Sequence, residues 1–306
     1  MKKRFMSIIT VLVLVIAMVG CSSETTKREV TDRSGNKVLL PSKIEKVIST
    51  APSNTEIISD LGFADKLVAV DNMSADVEGI GKDVAKIDFM SPDAEAIVGL
   101  EPDIIIASSM NSGQSGESPF KAVEEAGIPV VYIPSSDSID GIAKDVEFIS
   151  DVLGVKEKGD KMVSDMKAKI EEVAKIGSSI PDKDKKNVYF ELNPAPQLVT
   201  FGKGTFLNEM MDIIGAKNSF GDQKGWLAPS AESVIDKNPD VILTNVNFTD
   251  KPIEELKGRD GFKNINAVKN NKVYQIDTNS SSRPTTHILK ALDEMASAVY
   301  PDKYGK

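Results

Sequence analysis

Short apolar runs rich in valine and isoleucine punctuate the chain at 46–49, 67–70, 103–107, 129–133, 187–192, 240–244 and 272–276. Each reads as a strand buried on both faces of a parallel sheet. The stretches between them show helical spacing, and strands alternating with helices specify an α/β fold. One stretch differs in character. Over 155–176, Met162, Met166, Ile170 and Val173 recur at helical spacing among many Lys, Asp and Glu residues, which predicts a single long amphipathic helix. Gly154 precedes it, and Gly177 with Pro181 stands where a helix should stop. Its methionine stripe is read as packing surface rather than as a cofactor box.

An internal repeat organises the rest. Residues 91–107 align without gaps on residues 228–244, with identities at Pro92/Pro229, Ala94/Ala231, Glu95/Glu232, Pro102/Pro239, Asp103/Asp240 and Ile105/Ile242. Each copy reads as a helix with proline at its start, a Pro-Asp turn and a buried strand. One copy precedes the long helix and the other follows it. The expectation is therefore two Rossmann-like lobes of mostly parallel sheet, 29–154 and 178–306, joined by a linker helix at 155–177. A cleft between such lobes is a common place for a ligand.

The amino terminus reads differently. Lys2, Lys3 and Arg4 precede an apolar run at 8–19 that ends at Gly20 and Cys21. That run is too short to span a bilayer, which requires about 20 residues, and it has the layout of a signal peptide over 1–20. Gly20 followed by the chain's one cysteine resembles the lipobox of bacterial lipoproteins, with Met18 and Val19 in place of its usual residues. The resemblance implies lipidation of Cys21, a polar tether over 21–28 and attachment to the outer face of a cell membrane through the lipid alone. Loss of residues 1–20 moves the net charge of the 306-residue chain from −9 to −12, because Lys2, Lys3 and Arg4 leave with them. Such an acidic chain is a poor partner for nucleic acid. With Cys21 committed to the anchor, stability rests on the core without a disulfide.

Taken in order and spacing, five stretches resemble the helical-backbone substrate-binding proteins that deliver cobalamin, ferric siderophores or haem to ABC importers. They are residues 47–56, the two repeat copies, 204–215 and 282–292, and the domain so implied covers 46–306. The resemblance implies a monomeric receptor that hands a small metal chelate to a permease dimer, with no catalytic residue, no resident metal and no cofactor. In that family a glutamate on each lobe docks on the permease, and the matching positions are Glu95 and Glu232. Position alone has a local explanation too, since a glutamate in a helix's first turn gains about 0.3 to 1 kcal/mol from the macrodipole.

Candidate ligand contacts are the side chains at strand ends: Met73, Phe89, Phe190, Asn193, Trp226 and Arg283. Aromatic faces can stack on a flat chelate, and an arginine can pair with a carboxylate, phosphate or chelate oxygen. Core packing for Phe89, Phe190 and Trp226, or a solvated Arg283, are the competing readings. Residues 190–194 with Trp226 ahead of 230–232 resemble the cobalamin receptors, which puts a corrinoid first, a ferric siderophore second and haem, which needs an axial ligand, third.

Absences limit the alternatives. His287 is the one histidine, whereas a zinc or manganese receptor normally uses several. The chain lacks a G-x-S-x-G elbow for nucleophilic catalysis, and Gly202-Lys203-Gly204 carries too little of a dinucleotide fingerprint to count as one. A purely structural lipoprotein is the remaining class.

Overall fold

The structure, a computed structural model, describes residues 27–88, 90–109 and 118–305. The first lobe runs β1 (Arg28–Thr31), β2 (Lys37–Leu40), β3 (Val47–Ser49), α1 (Pro52–Asp60), β4 (Leu67–Asp71), β5 (Ala85–Ile87), α2 (Ala94–Gly99), β6 (Ile104–Ser108), α3 (Lys121–Glu125), β7 (Val130–Ile133) and α4 (Ile139–Val152). Helix α5 (Lys156–Ser178) leads on to β8 (Asn187–Glu191), β9 (Thr200–Phe201), α6 (Phe206–Ile213), β10 (Lys217–Asn218), β11 (Trp226–Leu227) and α7 (Ala231–Lys237). The second lobe ends with β12 (Val241–Thr244), α8 (Pro252–Gly258), α9 (Asn266–Lys269), β13 (Val273–Gln275), α10 (Thr278–Ser282), α11 (Ile288–Val299) and α12 (Pro301–Tyr304).

Each lobe is built on a parallel sheet. In lobe one the strand order is β5-β4-β3-β6-β7, and in lobe two it is β10-β8-β12-β13. β3, β6, β7 and β12 are buried along their whole length, as strands covered by helices on both faces must be. The apolar runs predicted from sequence all fall on strands of these sheets. One hydrophobic cluster continues from lobe one through α5 into lobe two and includes Ile142, Val146, Val163, Met166, Met210 and Met295. Met166 and Val173 are buried along α5, with Met162 and Ile170 packed beside them. No helix among the described residues is long and apolar enough to cross a membrane.

The repeat is visible as matched geometry. Asp93 caps α2 by accepting the Ala96 N–H at 3.1 Å, and Ser230 caps α7 by accepting the Ser233 N–H at 3.1 Å. Glu101 and Asn238, equivalent positions before the repeated prolines, both have left-handed backbones at φ 51° and 41°. Asp103 then accepts the N–H of Lys46 at 2.9 Å, and Asp240 accepts the N–H of Asn187 at 3.0 Å. In both lobes the repeated aspartate therefore ties the start of its own strand to the start of the neighbouring one.

Two expectations need correction. Gly177 does not end the long helix, which continues to Ser178. A Cβ on Gly177 would stand 2.1 Å from the carbonyl oxygen of Ile213 and 2.8 Å from the Gly215 nitrogen, so glycine is there to let α5 touch the end of α6. The β1–β2 hairpin was also absent from the predicted elements. Its turn is fixed to lobe one through Asp32, which accepts the Tyr132 N–H at 2.9 Å, and Arg33, which pairs with buried Asp145 at 2.7 Å.

Candidate functional site

The lobes meet through the segments that follow β4 and β13 at their carboxyl ends, the edge where open α/β sheets take ligands. On the lobe-one side, Ser49 at the end of β3, Thr55 of α1 and Ser74 after β4 form a chain of buried hydroxyls, 2.8 Å and 3.0 Å apart. Ser74 in turn donates to Asp71, which also accepts the Met73 N–H at 2.8 Å. This network fixes a tight turn that leaves the Met73 side chain 65% exposed.

On the lobe-two side, Thr200 donates to the Phe190 carbonyl at 2.7 Å, and the Leu192 N–H to the Val199 carbonyl at 2.9 Å. The chain therefore folds back over the end of β8. Asn193 closes that turn by donating to the Gln197 carbonyl at 2.6 Å, so its amide serves the loop. β9 pairs with β11 and places Trp226 opposite Phe201. The indole stands edge-on to the Phe201 ring at 6.5 Å and remains 51% exposed. A bridge between Lys203 and Lys224 brings two exposed lysines together beside it. Beneath the same edge, Glu191 is buried and bound by Arg259 through contacts of 2.5 and 2.9 Å. Burial pushes its carboxyl above the ordinary range against the pull of Arg259.

Not every predicted contact belongs to this surface. Phe190 is fully buried, with its ring 5.6 Å from that of Phe201. It is a core residue, because it lies within β8, whose far face is covered by helices. Arg283 lines the cavity between the lobes but is already engaged. Its guanidinium pairs at 2.7 Å with both Glu56 and Asp76 of lobe one. Phe89 lies outside the described residues, as does Cys21. Phe248, 67% exposed on the loop after β12, escaped the sequence reading. As the first aromatic after a predicted strand, it had the same signal that singled out Met73.

Glu95 and Glu232 are both exposed in the first turns of α2 and α7. Backbone N–H contact and Ser230 hold the Glu232 carboxyl below its usual range. Between the lobes lies a cavity of about 490 Å³, walled by Glu56, Asp60 and Asp76 on one side and by Asn279, Arg283 and His287 on the other. Among the described residues no group of three or more His, Cys, Asp or Glu side chains is placed to hold a metal ion.

Comparison with known proteins bears on the fold as a whole. A family model described as periplasmic binding protein matches residues 47–279. The chain is 30% identical, over 99% of both chains, to the uncharacterized ABC transporter substrate-binding lipoprotein YvrC of Bacillus subtilis. It is 28% identical to the vitamin B12-binding protein of Vibrio campbellii, over 82% of this chain and 88% of that one. Among solved structures, a possible iron-binding, periplasmic solute-binding protein of Staphylococcus epidermidis superposes with a TM-score of 0.72 at 32% identity. That match covers 84% of this chain and 99% of the other.

Proposed function

Because the chain belongs to the periplasmic binding protein family, we propose that it captures a metal chelate between its lobes and passes it to an ABC importer permease. The observation that carries this reading is the exposure of Met73 and Phe248 after the carboxyl ends of β4 and β12, and of Trp226 at the start of β11, where solvent-facing apolar side chains need a reason. A corrinoid suits them, being large, flat and without strong negative charge. The arginines at 28, 33, 259 and 283 are each engaged in an ion pair, so an anionic ligand would have to compete with a carboxylate for each. A second reading, a ferric siderophore with anionic edges, draws support from the paired Lys203 and Lys224 beside Trp226.

Titration of the chain lacking residues 1–21 with cyanocobalamin and with ferric hydroxamate, ferric catecholate and haem decides among these ligands. Saturable binding of cyanocobalamin alone supports the first reading. Binding of the catecholate, weakened by Lys203→Glu with Lys224→Glu, supports the second. No binding of any chelate overturns both.

The same reading places lipid on Cys21, with Glu95 and Glu232 as the permease contacts. Replacing Cys21 with Ser is expected to abolish radiolabelled palmitate incorporation and to move the protein from the membrane fraction to the soluble one. Undiminished labelling of that variant would remove the anchor from the proposal.

A further inference from the structure

Every polar contact around Glu56 and Asp76 that crosses between the lobes runs the same way, with lobe two donating and lobe one accepting. Glu56, 5% exposed in α1, takes Arg283 Nη1 at 2.7 Å on Oε1 and the Thr285 hydroxyl at 3.0 Å on Oε2. Asp76, after β4, takes Arg283 Nη2 at 2.7 Å and the Asn279 amide at 2.8 Å. His287 stands between two carboxylates, with Nε2 2.9 Å from Asp60 and Nδ1 3.5 Å from Glu56.

We propose that Glu56, Arg283 and His287 are positioning residues that clasp the lobes together, and that protonation of His287 tightens the clasp and slows ligand escape. This rests on the reading of the cleft as the ligand site. A buried carboxylate is tolerable only while its hydrogen bonds are made, so Glu56 resists any parting of the lobes. The imidazole supplies the pH dependence. Doubly protonated, it donates to Asp60 and holds a positive charge 3.5 Å from Glu56. Neutral, it donates to one of them and turns a lone pair toward the other.

The charges around His287 favour the protonated form. Asp60 and Glu56 face it from α1, Asp76 and Glu78 from the segment after β4, and Asp277 from the cap of α10. The opposing cations are Arg283, committed to Glu56 and Asp76, and Lys290, paired with Asp277 at 2.6 Å. The amino-terminal end of α11 also opposes protonation. The hydrogen bond to Asp60, with the charges of Asp60, Glu56 and Glu78, outweighs the burial of the ring and raises the imidazole above its ordinary range. With the pKa raised in the clasped state, the contact is complete below the free imidazole value and is lost as pH rises through the raised one.

As the one histidine of the chain, His287 gives a single set of imidazole proton resonances in the untagged full-length protein in detergent. Their titration is expected to lie above that of a free histidine and to fall toward it in Asp60→Asn, which keeps the size of a side chain that is 28% exposed. The dissociation rate of cyanocobalamin should rise several-fold between pH 6 and pH 8.5, and the rise should vanish in His287→Gln. If cyanocobalamin does not bind, X-ray scattering of the ligand-free protein supplies the answer: lobe separation should widen over the same range in the parent chain and not in His287→Gln. An ordinary or lowered imidazole titration, or a separation and off-rate independent of pH, overturns the clasp. Loss of chelate binding with the pH-dependent separation intact overturns the ligand reading and leaves the clasp standing.

Discussion

Trp226 and Phe190 both lie against Phe201, with ring centroids 6.5 and 5.6 Å away, yet they answer to different forces. Phe190 lies inside a strand covered by helices, so Phe190→Ala is expected to cost about 3–5 kcal/mol of stability through the cavity it leaves. Trp226 covers Phe201 from outside and keeps half its surface in solvent. Trp226→Ala should therefore disturb the fold much less and weaken chelate binding by about 1–3 kcal/mol, the range for aromatic anchors and stacked bases. Denaturant midpoints and calorimetric titration of the two variants separate the effects. A destabilised Trp226 variant with unchanged affinity would assign that ring to the core. At this scale sequence placed Met73 and Trp226 at strand ends but misjudged Phe190, which is buried, and could not name the partners of Arg283. Phe190 belongs to a run already read as buried on both faces, which should have counted against it. The partners of Arg283 lie 227 and 207 residues away, and no local pattern announces them.

Elements were more legible than side chains, because parallel strands and a long helix write their burial into continuous or periodic apolar pattern. What escaped were the pieces whose stability is borrowed. The β1–β2 hairpin, β5 and β10 are two to four residues long and largely half-buried or exposed, so their sequences lack a buried stripe to read. Gly177 was noticed for the wrong reason. Its neighbours in α6 are backbone atoms that cannot rotate away, so Gly177→Ala must push α5 off α6. The expected loss is about 1–3 kcal/mol, as for other overpacked sites, read from the denaturant midpoint. Because α5 carries the core between the lobes, the same change should also alter lobe separation in solution scattering. A variant as stable as the parent, with the same scattering, would mean that the approach of α5 to α6 is not tight.

For the whole molecule, the repeat is the strongest signal in the sequence, and it survives in the structure down to the aspartates at the strand starts. It sets Glu95 and Glu232 in equivalent first turns, one on each lobe, an arrangement suited to a two-fold partner. Reversing both to Lys is expected to leave chelate affinity unchanged and to reduce transport strongly. The loss should exceed that of the alanine pair, because attraction becomes repulsion, and complex formation by the parent chain should weaken as salt screens the contacts. Each single reversal should fall between parent and double variant in a vesicle uptake assay with the cognate permease. Normal uptake by the double variant would return both glutamates to their local role at the helix start. The clasp between the lobes also bears on how the molecule is made. Its acceptors are in place once lobe one is synthesised, whereas its donors at residues 279–287 come near the carboxyl terminus. Contacts of such span close long loops and form late. A chain emerging amino terminus first would hold a folded lobe with Glu56 still hydrated, and would have no binding cleft until its last elements docked. Truncation after β13 would leave both sheets in the chain and remove the lobe-two donors to Glu56, Asp60 and Asp76.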